Sequence, residues 1–283
     1  SVGKTTTKEM VAAVMASSFR IIKTEGNQNN EIGAPKTLMS ITPETEVAVV
    51  EMGMSAPNEI KDLCYAARPM MGIITNIGVS HIERLGSREN ILKAKLELAD
   101  ALPDGATLLL CDDNDLLKTV DIPRLRVVRY GLHSNRADIR ATIVSATPLS
   151  TNFMLHAEGQ SLRATIPGTG EHLVQNALAA FGAGRAMGIP AETAIRAFSE
   201  WFENEPPAVS AKKWWSMRAS PWWRTATMPA PIRCGRPSKH WDSSRAAAGA
   251  SLWRRICWSW ATSPRRATGR SARCVRRRGS TFC

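Results

Sequence analysis

Ser-Val-Gly-Lys-Thr-Thr-Thr-Lys-Glu-Met, residues 1–10, reads as a phosphate-binding loop running into a helix. Gly3 lets backbone N–H groups close around phosphate oxygens, Lys4 sets a point charge beside the β- and γ-phosphates, and the Thr5 hydroxyl suits a magnesium ion, with Thr6 next in the same turn. A bare Gly-Lys-Thr occurs by chance in many proteins. Here apolar Met10, Val11, Val14 and Met15 follow at helical spacing, which predicts a helix from Lys4 to about Phe19. The glycine and the strand that ordinarily launch such a loop are not in the sequence, so the chain is expected to be a fragment.

Outward from this loop, apolar runs alternate with helical patterns. Strands are predicted at 46–51, 71–76 and 106–111, and helices at 58–67, 88–102, 171–187 and 190–203. The alternation implies an α/β fold: a P-loop-type, mostly parallel sheet flanked by helices. Residues 137–166 change to alternating patterns that predict a small antiparallel subsheet.

Ligands of open α/β sheets bind beyond the carboxyl ends of the strands. Glu51 ends one predicted strand, where a carboxylate can hold Mg²⁺. His81 follows the next strand, in Thr75-Asn-Ile-Gly-Val-Ser-His81, at the same expected edge. A lone histidine is ordinarily structural, and Lys95 by periodicity alone is a solvated lysine. The stretch 24–35, Thr-Glu-Gly-Asn-Gln-Asn-Asn-Glu-Ile-Gly-Ala-Pro, is either a surface loop or a substrate loop in which Asn27, Asn29 and Asn30 offer amides.

Taken together, Gly3-Lys-Thr-Thr-Thr7, Glu51-Met-Gly-Met54, Thr75-Asn-Ile-Gly-Val-Ser-His81, Ala94-Lys95 and Gly170-Glu-His-Leu-Val-Gln-Asn176 resemble the Mur ligase family, the ATP-dependent amide-forming enzymes of peptidoglycan assembly. The resemblance covers about residues 1–207 and implies the family's central ATP-binding domain. Residues 24–35 and 80–87 resemble the branch that joins D-alanyl-D-alanine to UDP-N-acetylmuramoyl-tripeptide. It implies ATP and Mg²⁺, with an acyl phosphate on the way to the amide. By the same resemblance Lys4 would be catalytic and would stabilise the transferring phosphoryl group. Thr5, Glu51 and His81 would hold magnesium, Lys95 would be the lysine that becomes carbamylated, and Asn176 would lie near the nucleotide base. A cytoplasmic monomer serving cell-wall synthesis, and through it cell shape and division, is the corresponding expectation. Another Mur ligase, or a ligase like folylpolyglutamate synthase, is the neighbouring alternative.

Composition divides the chain of 283 residues in two. Residues 1–208 carry 20 Lys and Arg against 24 Asp and Glu, whereas 209–283 carry 17 against one, so the net charge of +12 resides in the tail. That tail holds eight of the nine tryptophans and keeps no helical or strand period. A nucleic-acid-binding arm is the reading from a different class; clustered charge without a fold or motif argues against an evolved nucleic-acid partner. Read from the third base of each printed codon, 225–236 permits C-Y-N-A-S-P-D-S-M-R-A and 254–266 permits A-D-M-L-E-L-G-D-F-S-E-E. Both resemble segments of the family's C-terminal ligase domain. Residues 208–283 are therefore expected to be out of frame and disordered, and the chain as printed to be inactive. Cys64 and Cys111 in the body and four tail cysteines show no C-x-x-C spacing, and no apolar run approaches a membrane span.

Overall fold

The computed structural model describes residues 3–204, with side chains to Trp201. The basic tail and its frame-shift reading lie outside the described residues.

Helix α1 (Lys4–Ala16) buries Met10, Val11, Val14 and Met15 on one stripe, as its spacing predicts, and ends three residues before Phe19. It leads to β1 (Ile21–Lys23), α2 (Gly33–Met39), β2 (Val47–Val49), α3 (Glu59–Ala67), β3 (Met71–Ile74), the single turn α4 (Ile82–Leu85) and α5 (Arg88–Ala101). The Ser87 hydroxyl caps α5 by accepting from the Asn90 N–H at 3.2 Å. Then come β4 (Thr107–Cys111), β5 (Arg126–Gly131), β6 (Ile139–Ala146), β7 (Ser150–Ala157), β8 (Gln160–Pro167), α6 (Glu171–Ala186) and α7 (Ala191–Asn204). Strands β1 and β5 and helices α2 and α4 were not evident from sequence periodicity.

The sheet is mixed. β3, β4, β5 and β6 pair in parallel, and β6, β7 and β8 continue antiparallel, so the antiparallel part extends the parallel sheet instead of standing apart. The junction is narrow: β5 meets β6 only at Tyr130–Ile139 and Gly131–Arg140. β1 and β2 form a separate parallel pair, and among the described residues β2 and β3 share no ladder. β4 is the most deeply buried strand, with Leu108, Leu109 and Leu110 at 0 % exposure, in keeping with a parallel strand covered on both faces.

Helix α6 is thin by composition. Its run Ala-Leu-Ala-Ala-Phe-Gly-Ala-Gly, residues 177–184, is buried all round between α1 and the sheet. A Cβ at Gly182 would stand 2.6 Å from Leu109 Cδ2, and one at Gly184 would stand 2.5 Å from Val14 Cγ1. The two glycines thus face opposite layers. Val14 is fully buried and stiff at χ1, so it cannot yield as a leucine tip can. Gly184→Ala is expected to lower stability by ~1–3 kcal/mol from overpacking, although alanine gains ~1 kcal/mol in helix propensity. Adding Val14→Ala should recover part of the loss; urea denaturation of the single and double variants is the measurement.

Beyond β4, Asp112 and Asp113 fasten the following strands. Asp113 accepts from the N–H groups of Leu132 and His133 at 2.7 and 2.9 Å and from Gln175 Nε2 at 2.7 Å. Asp112 is buried and receives Arg129 Nη1 at 2.9 Å, Arg136 Nε at 3.1 Å and the Ser134 hydroxyl. Burial pushes its carboxyl up, but hydrogen bonds from Arg136, Ser134 and Arg129 outweigh that and hold it below the ordinary aspartate value.

Candidate active site

The phosphate loop turns into α1 through Gly3, whose φ of 94° is left-handed and favours glycine. A Cβ there would also stand 3.1 Å from Asn176 Oδ1. The helix start lies at the carboxyl end of β2: the Thr5 hydroxyl donates to Glu51 Oε1 at 3.2 Å. Glu51 sits two residues past the last residue of β2 and is only 5 % exposed. Its N–H donates to Thr24 Oγ1 at 3.0 Å, and Asn29 Nδ2 donates to Oε1 at 2.6 Å. The second oxygen, Oε2, is buried with no hydrogen bond; Lys8 Nζ stands 4.0 Å from it.

Lys8 is a site residue that sequence reading missed. Its ammonium, 4 % exposed, donates to the carbonyls of Thr24 and Gly26 at 2.6 and 2.7 Å and pairs with Glu9 Oε1 at 2.8 Å. A sequence signal existed. Lys8, Val11, Ala12 and Met15 fall on one helical stripe, and a lysine on an apolar stripe must find partners.

A cavity of ≈ 910 Å³ opens beside α1, and its lining includes Lys4, Lys8, Asn29, Asn30, Glu51, Thr75, Ser80, His81 and Lys95. The structure therefore brings Lys4, Glu51, His81 and Lys95 to one cavity, with Thr5 tied to Glu51. His81 is solvent-exposed and holds φ 67° at the start of α4. Lys95, on α5, donates to the Asn76 carbonyl. Burial, helped by the positive charge of Lys4, pulls its ammonium down to about 8.

The asparagine-rich stretch divides its work. Asn29 reaches Glu51, and a Cβ at Gly53 would stand 2.5 Å from Asn29 Oδ1, so the loop lies directly on the β2–α3 turn. Asn30 borders the cavity but spends its Oδ1 on the Gly33 N–H at 2.9 Å, capping α2. Asn27 is exposed and outside the lining. Asn176 accepts from the Thr7 hydroxyl at 3.0 Å, and its Nδ2 is buried without a hydrogen bond. It stands against the phosphate loop itself.

Among the described residues no three His, Cys, Asp or Glu side chains gather into a metal cage. Magnesium does not need one: it is commonly held by one or two carboxylates together with phosphate oxygens and water. A buried carboxylate with one unsatisfied oxygen beside a threonine hydroxyl and a phosphate loop fits that donor set.

Residues 1–184 match the model of the Mur ligase middle domain. The UDP-N-acetylmuramoyl-tripeptide–D-alanyl-D-alanine ligase of Bacillus subtilis is 41 % identical over 197 residues, spanning 70 % of this chain and 42 % of the relative. The enzyme of that name from Escherichia coli is 35 % identical over 190 residues, or 66 % and 42 % of the two chains. Among solved structures, a MurF crystal structure from Acinetobacter baumannii superposes with a TM-score of 0.66 at 30 % identity, covering 70 % of this chain and 43 % of that one. A Thermotoga maritima MurF ligase in complex with ADP gives a TM-score of 0.64 at 26 % identity, over 70 % and 46 %. The chain thus spans about two fifths of the length of the curated relatives it matches. On the strength of the family match and the two curated relatives, this chain belongs to the Mur ligase family, whose middle domain it carries in residues 1–184.

Proposed function

We propose that these residues form the ATP site of a ligase that joins D-alanyl-D-alanine to UDP-N-acetylmuramoyl-tripeptide. The observation that carries the reading is the meeting of Lys4, Glu51, His81 and Lys95 on one cavity, with Thr5 bonded to Glu51. In the proposed reaction the terminal carboxylate of the tripeptide attacks the γ-phosphorus of ATP. An acyl C–O–P bond forms, the bond to ADP breaks, and ADP leaves. The amine of D-alanyl-D-alanine then attacks the acyl carbon. The C–N bond forms, phosphate leaves with the electron pair, and the amine proton passes to solvent.

Such chemistry rests on position and charge more than on covalent help from the protein. Magnesium would neutralise charge on the phosphate oxygens. Lys4 balances the charge that moves with the transferring group. Glu51, with Thr5, would hold the cation through its bare Oε2, and His81, which lines the same cavity, would help hold a second. Asn29 keeps the Glu51 carboxylate aimed, while Asn176 and Thr7 brace the loop from behind. No helix among the described residues is long and apolar enough to cross a membrane. Residues 208–283 are proposed to be the out-of-frame product of codons for a C-terminal ligase domain; the coding DNA tests this by the presence or absence of a continuous alternate frame.

Lys95 is proposed to carry a carbamate. The neutral amine attacks CO₂, an N–C bond forms and a proton leaves, turning a cation into an anionic oxygen ligand. With its ammonium pulled down to about 8, roughly half the side chain is neutral at pH 8, against about 0.3 % for an ordinary lysine. In ¹³C-bicarbonate a carbamate carbon resonance is expected to grow as pH rises through 8 and to be missing from Lys95→Arg. An identical signal in that variant would exclude Lys95.

The function is tested with the full-length protein by phosphate release from ATP. Release requiring both the UDP-muramoyl-tripeptide and D-alanyl-D-alanine supports the proposal. Release with another amino acid or with folate selects a sister ligase, and none with any acceptor refutes it.

A further inference from the structure

We infer that Lys8 is a positioning residue for the proposed magnesium site: its ammonium fixes the loop 24–29, and that loop sets the Glu51 carboxylate with Oε2 left open. The inference rests on the reading of Glu51 as a magnesium ligand. Lys8 stands one turn beyond Thr5 on α1. A lysine ammonium has three N–H donors. Here the Thr24 carbonyl takes one at 2.6 Å, the Gly26 carbonyl one at 2.7 Å and Glu9 Oε1 one at 2.8 Å. Lys8 Nζ is 4.0 Å from Glu51 Oε2 and makes no hydrogen bond to it. A positive charge thus stands beside that buried oxygen without using its lone pairs. Glu9 anchors the ammonium in turn, because its other oxygen binds Lys23 Nζ at the residue just ahead of the loop.

The carbonyls that Lys8 holds belong to the segment that holds Glu51. Thr24, fully buried, donates its N–H to the Val49 carbonyl at 3.0 Å and accepts the Glu51 N–H on Oγ1 at 3.0 Å. At the other end of the loop, Asn29 donates Nδ2 to Glu51 Oε1 at 2.6 Å, and its carbonyl accepts the Gly53 N–H at 2.6 Å. The contacts close a ring. Thr5 ties α1 to Glu51, Thr24 and Asn29 tie Glu51 to the loop, and Lys8 ties the loop back to α1. Hydrogen bonds from a charged donor are about twice as strong as neutral ones, so Lys8 is a strong link in that ring. Without it the Thr24 and Gly26 carbonyls lose their partner and the loop can lift from α1. Asn29 then no longer pins Oε1, and the carboxylate is free to turn and spend Oε2 elsewhere. Partners of this kind, one step behind a metal ligand, commonly govern metal affinity by 10–100-fold.

The test compares full-length wild type with Lys8→Met, Lys8→Arg and Glu51→Gln. Mn²⁺ is titrated into protein holding a non-hydrolysable ATP analogue, and bound manganese is read by electron paramagnetic resonance. Affinity for the analogue alone is measured in EDTA, and amide exchange reports on the loop without any metal. Lys8→Met is expected to weaken Mn²⁺ binding ~10–100-fold while affinity in EDTA holds, a split that general loosening of the fold would not give. Exchange at Gln28, Asn29, Glu51 and Gly53 should quicken about 10-fold or more, with amides of the β7–β8 hairpin unchanged. Lys8→Arg keeps the charge but moves the donors, so it should shift both readings in the same direction by less; it carries the test if Lys8→Met does not fold. A loop that exchanges faster while Mn²⁺ affinity stays at the wild-type value would make Lys8 structural only and overturn the inference. So would loop exchange that does not change. A Glu51→Gln variant that binds Mn²⁺ as well as wild type would remove the magnesium reading itself and the inference with it. Loss of affinity in Glu51→Gln with none in the Lys8 variants would remove the inference alone.

Discussion

Lys4→Ala is expected to remove most of the triphosphate affinity of the site and to lower ligation by the full-length enzyme roughly 10²–10³-fold, the usual cost of deleting one charge aimed at a developing oxyanion. The effect should fall on ATP far more than on ADP or AMP, because Lys4 opens α1 where the distal phosphates would lie. Calorimetric titration with the three nucleotides and steady-state phosphate release are the measurements. The variant also removes a neighbouring positive charge from Lys95, one of the two causes of its lowered ammonium value. The pH at which a carbamate signal appears should therefore move upward, whereas a variant that only damaged folding would lose the signal altogether.

The largest stability effect is expected at Asp112. Alanine there strands Arg129, whose side chain is only 20 % exposed, beside Arg136. Breaking a buried ion pair costs ~3–5 kcal/mol, and because Arg136 is largely solvated the low end, ~3 kcal/mol, is the expectation. The pH dependence has a definite sign. The folded-state value of Asp112 is depressed, so its contribution is fully present above the unfolded aspartate value of about 3.9 and fades as pH falls through the lower folded value. The gap between wild type and Asp112→Ala in urea midpoints should be constant near neutrality and close in acid. A gap that persists unchanged in strong acid would mean that packing, and not charge, accounts for the loss.

Legibility in the sequence followed the range of the forces involved. β3 and β4 were readable because continuous apolar runs between helical patterns are a local signal. β5 was not: Arg126 and Arg129 break its apolar run, and what makes it a strand is its parallel ladder with β4, with the Arg129 side chain held by the carboxylate of Asp112. α2 was hidden because its first turn is secured by the Asn30 side chain inside a stretch that reads as loop. Strand-end reasoning placed Glu51 and His81 at one edge with the phosphate loop, and the cavity gathers them there. For Lys8 the apolar stripe of α1 signals burial, but its partners, the backbone carbonyls of Thr24 and Gly26, leave no mark in the residue pattern. The split between β2 and β3 was equally silent, since pairing partners are a property of the assembled sheet.

Glu51 carries one more implication. With Oε1 engaged by Thr5 and Asn29 and Oε2 without a hydrogen bond, this carboxylate would offer a cation a single oxygen. Small octahedral ions accept a single oxygen from each acid, whereas calcium favours the two-toothed grip of a whole carboxylate. Denticity, fixed by two neighbouring hydrogen bonds, would thus sort cations by size before any nucleotide arrives.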